Sequence, residues 1–377
     1  MKKLIQVLKA FTTRRLVVIF DKVDFTYTGL SWKKIFNWFV AELSYVFKSS
    51  KVFAYPTHLQ LEPVCGCNLR CPMCYIVTHD LTPGFLKLDH FRKLIDEVCE
   101  YVLFLHFWGW GEPFLHKDIY DMIRYAKQRG IKVITSTNGH FFENEEKADQ
   151  LIDSGLDVLI FALDGADRET YEKYRKKGDF ERVIRGLKLL VKRKADRGTS
   201  FPRINLRMVV TKENEDQIPE MMNLAKDLGV DIFSLKTLSR HDQDSSWEDS
   251  LPSDQSYLRF EYGTDGQPIR KKNTCKKMWN HVTVFQDGNV FPCDYHVNDT
   301  TSMGNAFDGE GSSFKRVWFG DNFRKFRSRF TSGDLTGLRC ESCDLNYVST
   351  DHYVSHAFFL KNGITLDDEG AHRIREE

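Results

Sequence analysis

The regular alternation of β-rich runs with amphipathic helical stretches between His58 and Thr237 constrains the fold of this chain most. Six short β-rich runs recur there, at Leu59–Glu62, Val102–Phe107, Lys132–Ser136, Val158–Leu163, Arg203–Val210 and Asp231–Lys236. Apolar residues at helical spacing predict intervening helices at Asp89–Tyr101, Lys117–Arg129, Asn144–Ser154, Arg168–Lys194 and Glu215–Leu228. Strands joined by helices form parallel sheets with right-handed crossovers, so we expect an α/β fold with an open or partly rolled sheet. Functional loops should leave the carboxyl ends of its strands.

The composition excludes several classes of protein. Apolar residues at 41% and charged residues at 28% argue against wholesale disorder in a chain of 377 residues. Lys and Arg number 54 against 53 Asp and Glu, which gives no overall field to attract nucleic acid. No apolar run reaches the ~18 residues of a membrane-spanning helix, and no secretory signal is apparent. We expect a cytoplasmic location and no nucleic-acid partner.

Residues 1–57 form an N-terminal extension that we expect to be helical. From Ser31, a plausible N-cap, to Lys48 the apolar residues recur at helical spacing. One interpretation packs this apolar stripe on the main domain. The alternative places the helix at a membrane surface, which the aromatic residues and flanking lysines of positions 31–48 favour.

A first group of cysteines follows the first predicted strand in the spacing Cys67-x3-Cys71-x2-Cys74. Three thiolates on one loop can bind three irons of a [4Fe–4S] cluster and leave the fourth iron open to another ligand. A structural zinc site and simple buried thiols are the competing interpretations. The spacing by itself leaves all three open.

This motif, together with Gly109-Trp110-Gly111-Glu112-Pro113 after the second strand, resembles the signature of the radical S-adenosylmethionine (radical SAM) superfamily. The resemblance covers residues 58–237 and implies a partial (β/α)6 TIM-like barrel. It implies a [4Fe–4S] cluster on the three cysteines, with SAM at the open iron. It also implies that the Gly-rich motif binds the amino group of SAM through Gly109, Gly111, Glu112 and Pro113. Trp110 replaces the first Gly of the usual motif.

The resemblance implies further SAM contacts after later strands. Met73 matches a position that packs against adenine, and Asn138 and Asp164 match polar contacts near SAM. Both Asn-Gly and Asp-Gly are also ordinary turns. Arg207, on the fifth strand, is a candidate partner for the methionine carboxylate, with a salt bridge inside the barrel as the alternative.

A second group of cysteines comprises Cys275-x12-Gly288-x4-Cys293 and the distant Cys340-x2-Cys343. Four thiolates complete the ligand shell of either zinc or a [4Fe–4S] cluster. After a barrel of this kind, the pattern resembles the SPASM/twitch auxiliary-cluster domains. Because no cysteine follows Cys343, the resemblance implies a twitch-like domain with one auxiliary cluster.

These patterns divide the remainder of the chain. We expect a linker at residues 238–272, a SPASM/twitch domain at 273–350 and a C-terminal tail at 351–377. Arg324, Lys325, Arg327 and Arg329 form a basic run. We expect this run to be a solvated helix face, with contact to an anionic substrate or an electron donor as the alternative.

The resemblance implies an oxidoreductase-type radical SAM enzyme that cleaves SAM reductively to a 5′-deoxyadenosyl radical and abstracts hydrogen from a substrate C–H bond. The extension is too short and too helical for a full leader-peptide-binding domain, so we expect a small-molecule, sugar or lipid-linked substrate. Maturation of a ribosomally made peptide is the alternative. A non-catalytic electron-transfer or zinc-binding protein is the alternative from another class. A flavodoxin- or ferredoxin-type electron donor is implied, and no catalytic acid or hydrogen donor can be assigned.

Overall fold

A computed structural model describes residues 2–79, 81–238, 249–271, 275–296, 301–308, 313–348 and 353–361. Its strands are β1 Leu16–Phe20, β2 Val23–Tyr27, β3 His58–Leu61, β4 Val64–Cys65, β5 Gly84–Phe85, β6 Phe104–His106, β7 Lys132–Thr137, β8 Val158–Ala162, β9 Arg203–Val209, β10 Ile232–Lys236, β11 His281–Val284, β12 Asn289–Phe291, β13 Gly304–Asn305 and β14 Val354–Phe359. Its α-helices are α1 Lys2–Thr13, α2 Trp32–Val46, α3 Tyr75–Thr78, α4 Leu88–Val98, α5 Ile119–Gln128, α6 Glu145–Asp153, α7 Arg168–Tyr174, α8 Phe180–Asp196, α9 Ile218–Leu228, α10 Lys277–Asn280, α11 Phe314–Trp318 and α12 Asp321–Ser332.

Ten strands form one sheet in the order β13-β12-β11-β3-β6-β7-β8-β9-β10-β14. The neighbours from β3 through β10 pair in parallel. These six strands are the six predicted β-rich runs, with helices between them. The predicted α/β fold with a partial (β/α)6 barrel is therefore confirmed.

One predicted helix is interrupted. The helix expected over Arg168–Lys194 is two helices, α7 and α8, because the chain turns sharply between them. Lys177 has a positive φ of 68°, and a Cβ on Gly178 would lie 2.7 Å from the carbonyl oxygen of Arg175. The side chain of Asp179 then accepts a hydrogen bond from the Arg182 N–H and caps α8.

The C-terminal region continues the barrel sheet. Strand β11 pairs in parallel with β3, with His281 opposite His58, and β14 pairs antiparallel with β10 at the other edge. Thus residues 354–359 of the expected tail are a sheet strand, while residues 362–377 lie outside the described residues. The expected linker is hydrogen bonded where it is described, since the Glu215 carboxylate accepts from the N–H of Ser253 and of Asp254. The most polar part of that segment, residues 239–248, also lies outside the described residues.

The N-terminal extension is not helical throughout, because a β-hairpin of β1 and β2 separates its two helices. The hairpin turns at Asp21 and Lys22, whose φ angles of 50° and 61° are those of a tight two-residue turn. The aromatic side chains of the hairpin pack against the face of the barrel sheet that lies opposite the helices. The ring centroids of Phe25 in β2 and Phe104 in β6 are 4.4 Å apart. The Tyr27 hydroxyl also donates to the Leu103 carbonyl at 2.8 Å. The hairpin thereby fills the inside of the partial barrel.

Helix α2 begins as predicted but presents the opposite face to the domain. The Ser31 hydroxyl accepts from the Lys34 N–H and caps the helix. Toward the protein, Lys34 Nζ donates to the Gly130 carbonyl at 2.7 Å and Asn37 Nδ2 donates to the Tyr55 carbonyl at 3.1 Å. These bonds satisfy polar groups that burial would otherwise penalise.

Most of the apolar stripe of α2 faces outward, so the expectation that it packs on the main domain is wrong. Ile35 is buried, but Trp32 is 56% exposed, Phe36 60% and Phe47 75%. The buried side of the helix consists of Lys34, Ile35, Asn37, Trp38, Ala41 and Ser44, so five of the eight apolar residues of the stripe are left exposed. Within the described ranges, no helix combines the length and apolar character needed to cross a bilayer.

Candidate active site

The loop that carries the first cysteine group is held at its base by a pair of short strands. After β3, strand β4 pairs antiparallel with β5, with Val64 opposite Phe85 and Cys65 opposite Gly84. The intervening residues leave the carboxyl end of β3, which is where a parallel α/β fold builds its sites. Cys65 is therefore part of the β4–β5 strand pair.

Cys67, Cys71 and Cys74 lie together on this loop, and the structure joins none of them in a disulfide. Burial is the main reason that the pKa of the Cys67 thiol is raised to about 11, and the charges of Glu112, Cys74 and Cys71 contribute in the same direction. The Leu69 N–H donates to Cys67 Sγ at 3.3 Å. Three neighbouring thiols on a partly buried loop with N–H donors fit the ligand set of an iron–sulfur cluster, which requires their deprotonation.

Two further donors face these sulfurs from the barrel. Asn138 Nδ2 lies 3.7 Å from Cys67 Sγ, and Arg175 Nη1 lies 3.8 Å from Cys71 Sγ. The sequence analysis did not identify Arg175, because its position depends on the turn between α7 and α8. Hydrogen bonds and positive charge near the sulfurs stabilise thiolates and tune a bound cluster.

The Gly-rich segment after β6 lies directly against the base of the loop. A Cβ on Gly109 would lie 2.2 Å from Glu62 Oε1, and one on Gly111 would lie 2.1 Å from the Val64 carbonyl oxygen. The position of Gly111 therefore requires glycine, because the obstructing atoms are backbone, whereas a side chain at Gly109 would have to displace the buried side chain of Glu62. Trp110 stacks on Tyr75, which directly follows Cys74, with ring centroids 4.6 Å apart. The bulky replacement in the motif is accommodated because its ring lies over the cysteine loop.

Glu112 is buried and bound by protein donors. Its Oε1 accepts from the Phe114 N–H at 3.0 Å and from the Thr137 hydroxyl at 3.1 Å, and its Oε2 accepts from the Asn138 N–H at 2.7 Å. Burial raises the pKa of Glu112 to about 7 despite these bonds. A carboxylate has about four acceptor positions, so one remains for an ammonium group. Pro113 begins the short 3-10 helix that this carboxylate caps.

Glu62 is a second buried carboxyl beside the motif, and the sequence analysis missed it. Its Oε1 accepts from the Trp110 N–H at 2.8 Å, whereas its buried Oε2 has no hydrogen-bond partner among the residues that the structure describes. Burial raises the pKa of Glu62 to about 8, and the charge of Asp287 contributes in the same direction. Glu62 directly follows β3, at the end of the β-rich run expected from the sequence, a position that gives no sequence signal for function.

We expect Glu62→Gln to remove one source of pH dependence from stability. The folded carboxyl binds its proton more tightly than the unfolded one, so it makes the fold less stable as pH rises from about 4.5 to about 8. The free energy of unfolding of E62Q, measured in urea, should therefore fall less over that window than that of the wild type. Equal pH slopes for the two proteins would contradict the assigned pKa.

The other predicted SAM contacts lie around the same strand ends. Met73 is half-buried on the cysteine loop. Asn138 Nδ2 also donates to Asn68 Oδ1 at 2.8 Å. Asp164 is buried, forms an ion pair with Arg175 and accepts from the Val209 N–H at 2.7 Å. The structure thus brings these positions together around the first cysteine group.

Arg207 is engaged by the N-terminal hairpin. Its Nη1 lies 2.7 Å from Asp21 Oδ2, and its Nε donates to the Ser234 hydroxyl at 3.2 Å. This contact is the salt bridge inside the barrel that the sequence analysis left open, with a partner from the extension. A role toward the methionine carboxylate stays a prediction.

Replacing Asp21 with alanine should destabilise the fold by about 3 kcal/mol, because it leaves the buried Arg207 guanidinium without its counter-charge. Asp24→Ala is a matched control, since it removes the neighbouring hairpin ion pair to the less buried Arg203. Anaerobic chemical denaturation would measure both variants. An Asp21→Ala protein as stable as Asp24→Ala would contradict the importance of the pair.

The four cysteines of the second group also converge. Cys275, Cys293 and Cys340 are buried, Cys343 is partly buried, and none forms a disulfide. Burial raises the pKa of Cys343 to about 11, and the charge of Cys275 contributes. Four free thiols from three separate segments fit a complete cluster shell. Among the described residues, no three His, Cys, Asp or Glu side chains gather around a single metal-ion position.

Ion pairs surround this second group. Lys277 Nζ lies 2.8 Å from Asp294 Oδ1, and Arg259 Nη2 lies 2.7 Å from Asp344 Oδ2. His296 Nε2 lies 3.3 Å from Cys340 Sγ. Asp294 and His296 therefore belong to the surroundings of these cysteines. The buried side chains hold the separate segments together and place positive charge near a group that would carry negative charge.

The two cysteine groups are joined through the turn after β11. Gln286 Nε2 donates to the Thr82 carbonyl at 3.2 Å, which ties that turn to the first cysteine loop. Asp287, the next residue, is the charge that acts on Glu62. The C-terminal region therefore packs directly on the rim of the barrel site.

Comparisons with known proteins agree with this arrangement. Residues 61–225 match the radical SAM superfamily, and residues 275–344 match the SPASM iron–sulfur cluster-binding domain. The AdoMet-dependent heme synthase of Methanosarcina barkeri is 31% identical, over 78% of this chain and 90% of that protein. The mycofactocin maturase MftC of Mycolicibacterium smegmatis is 26% identical, over 76% of this chain and 75% of that protein.

The fold is also found among solved structures. SuiB of Streptococcus suis, bound to its precursor peptide SuiA, superposes with a TM-score of 0.56 at 16% identity, over 78% of this chain and 71% of that one. The shared barrel, the two family matches and the heme synthase relative lead to one conclusion. The chain belongs to the radical SAM superfamily and is an enzyme with a C-terminal SPASM domain, dependent on SAM and on iron–sulfur clusters.

Proposed function

We propose that Cys67, Cys71 and Cys74 hold the SAM-binding cluster and that Cys275, Cys293, Cys340 and Cys343 hold one auxiliary [4Fe–4S] cluster. When bound, the first cluster supplies the electron that splits SAM into methionine and a radical able to abstract hydrogen from a C–H bond. The observation that carries this proposal is the convergence of the three-cysteine loop, Gly111 and Glu112 at one strand edge.

The protein's own groups would hold and shield SAM. Glu112 has an acceptor position for the amino group, Gly109 and Gly111 let the backbone approach, and Met73, Pro113, Asn138 and Asp164 surround the same place. Arg175 and Asn138 place donors on the thiolates. The hairpin β1–β2 fills the inside of the barrel and excludes water from that side. Arg207 forms an ion pair with Asp21, and it would have to break this pair in order to bind the methionine carboxylate of SAM.

We propose a peptide as the substrate, rather than the sugar or lipid-linked small molecule expected from the sequence. The relative named as a mycofactocin maturase and the SuiB fold with its bound precursor peptide both support this choice. Of the two objections to a peptide, the helical character of the extension no longer holds, because the extension contains a hairpin, whereas its short length stays as it was. The heme synthase relative keeps a tetrapyrrole-sized small molecule as the second candidate.

A selection experiment would test the substrate class. The reconstituted, reduced enzyme is incubated with SAM and a displayed library of random peptides, and peptides with altered mass are recovered. We expect recovered peptides to stimulate 5′-deoxyadenosine formation at least about tenfold over the uncoupled rate. Stimulation by porphyrins or sugars but by no peptide would overturn the peptide proposal and leave the SAM chemistry intact.

We also propose that α2 contacts an anionic membrane surface. Its exposed face carries Trp32, Phe36, Val46 and Phe47. Residues 1–57 contain ten Lys and Arg against three Asp and Glu, which is the charge that anionic lipid attracts. An apolar helix face flanked by cationic residues is typical of helices that lie in the membrane interface.

A flavodoxin- or ferredoxin-type donor would supply electrons.

Cosedimentation with vesicles tests this contact. The wild-type protein should bind vesicles of phosphatidylglycerol and phosphatidylcholine, and Phe36→Glu/Phe47→Glu should bind at least about tenfold more weakly, because two apolar side chains leave the interface. Ile269→Glu, an exposed position far along the chain, is the matched control. Equal binding by the double variant, or none by the wild type, would rule the contact out.

A further inference from the structure

A cavity of about 410 Å³ lies at the amino ends of the barrel strands. Its walls come from residues 50–55, from Tyr101 and from α11 and α12. Tyr55 precedes β3 and Tyr101 precedes β6, whereas the cysteine loop leaves the carboxyl end of β3. The cavity is therefore at the opposite end of the barrel from the proposed SAM site. Its volume is in the range of small-molecule sites.

The charged groups that line the cavity are all cationic. They are Lys51, Lys315, Arg324 and Arg327, and no Asp or Glu lies among the lining residues that the structure describes. Arg324 Nη2 is 3.1 Å from Asp321 Oδ1, but both side chains are more than half exposed, so water and salt screen that pair. A second carboxylate, Glu97, lies beside this wall and accepts from the N–H groups of Phe314 and Lys315. The groups that line the cavity nevertheless carry only positive charge.

Arg327 shows the excess of positive charge in the cavity most clearly. The sequence analysis expected it on a solvated helix face, yet it is only 1% exposed. Its Nε donates to the Met278 carbonyl at 2.9 Å, and its terminal nitrogens donate to the Trp318 carbonyl at 3.3 Å. No carboxylate in the described part of the chain pairs with it. A buried cation without a counter-charge is costly, so an anion in the cavity would offset that cost.

The remaining wall is aromatic. Tyr55 and Tyr101 stack with ring centroids 4.2 Å apart, and Phe319 meets Tyr55 edge-on at 5.0 Å. Phe53, also in the lining, is largely exposed, and Lys51 Nζ lies 5.5 Å from its ring centre. The cavity therefore combines a cationic wall with an apolar one, which suits a ligand that has both an anionic and an apolar part.

We propose that this cavity, the basic pocket, binds an organic phosphate. The phosphate group would lie among Lys51, Lys315 and Arg324, with Arg327 behind them, and the apolar part would lie on the aromatic wall. A phosphate matches several cations at once, and guanidinium groups bind its oxygens in pairs. Such a ligand is either a soluble aryl or nucleoside phosphate or the head group of an anionic phospholipid. Asn37, on the buried face of α2, also lines the pocket.

Calorimetric titration of the full-length, cluster-loaded protein with phenyl phosphate tests the pocket. Saturable binding is expected, and Lys51→Glu/Lys315→Glu should weaken it at least about tenfold. Lys325→Glu is the matched control, because Lys325 is exposed on α12 but does not line the pocket. It should change the affinity by less than about twofold. The double variant leaves Arg327 in place to preserve the packing, and it should form 5′-deoxyadenosine at the wild-type rate.

A second titration distinguishes the two sources of phosphate. Vesicles of phosphatidic acid in phosphatidylcholine are compared with vesicles of phosphatidylcholine alone, for the wild type and both variants. Loss of phosphatidic acid binding in the double variant but not in Lys325→Glu supports a lipid ligand. Binding of phenyl phosphate by a wild-type protein that does not bind phosphatidic acid supports a soluble ligand. No saturable binding to either probe up to about 10 mM, or binding equal in the wild type and the double variant, overturns the proposal.

Discussion

Replacing Cys67, Cys71 and Cys74 together with alanine will abolish reductive cleavage of SAM. We expect 5′-deoxyadenosine formation to fall more than about 1,000-fold, which corresponds to about 4 kcal/mol of activation free energy, because the described part of the barrel has no second loop with three cysteines that could hold the proposed SAM-binding cluster. Iron content should fall from about eight to about four atoms per chain, since the second cysteine group keeps its cluster. Anaerobic iron and sulfide analysis and product chromatography would measure both quantities.

Cys65→Ala is the matched control for this variant. Cys65 is two residues from Cys67 but lies in the β4–β5 ladder, so it should leave iron content and activity within about twofold of the wild type. Alanine at all four cysteines of the second group should also lower iron to about four atoms while leaving the first cluster in place. Retained SAM cleavage in the triple variant would refute the assignment of the first site.

Gly111→Ala should cause the second large loss. The added Cβ would lie 2.1 Å from the Val64 carbonyl oxygen and 2.6 Å from that of Gly66, a separation that real Cβ atoms essentially never show. Either the Gly-rich segment or the base of the cysteine loop must shift, and a displacement of about 1 Å at an active site costs about 100-fold in rate. Overpacking of this kind also lowers stability by about 1–3 kcal/mol.

Gly66→Ala separates this steric effect from the loss of a glycine. Its Cβ would meet only Val64 Cγ1 at 3.7 Å, an ordinary contact, and Gly66 has no positive φ. We expect less than about a threefold change in 5′-deoxyadenosine formation for Gly66→Ala, measured beside Gly111→Ala under the same reducing conditions. Similar activities of the two variants would show that the close approach at Gly111 is not required.

The architecture and the cysteine motifs could be predicted because their signals are local. Each barrel strand is a short β-rich run, and each cysteine group has a spacing that is visible within one or two segments. The Gly-rich motif was recognisable by its resemblance to that of the superfamily even with Trp110 in it, since Gly109 and Gly111 remain on either side. The substrate expected from the sequence was less well founded, because it depended on the extension being both short and helical, and the extension contains a β-hairpin.

The roles of several side chains could not be predicted because their partners are distant in the chain. Arg207 and Asp21 are 186 residues apart, and Arg175 and Cys71 are 104 apart. Glu62 looked like the end of an apolar strand until the Gly-rich segment was seen against it. Arg327 looked solvated because its neighbours in the basic run are, yet the packing of α12 buries it.

The sequence alone therefore determined the alternation of strands and helices, the cysteine sets and the superfamily. The tertiary structure decided that the hairpin fills the barrel, that the apolar face of α2 points outward and that cations line a cavity at the far end. The physical reason is that periodicity records which residues can be buried together within one element. Which face of that element is covered depends on segments that reach it from elsewhere in the chain, as the hydrogen bonds of Lys34 and Asn37 show.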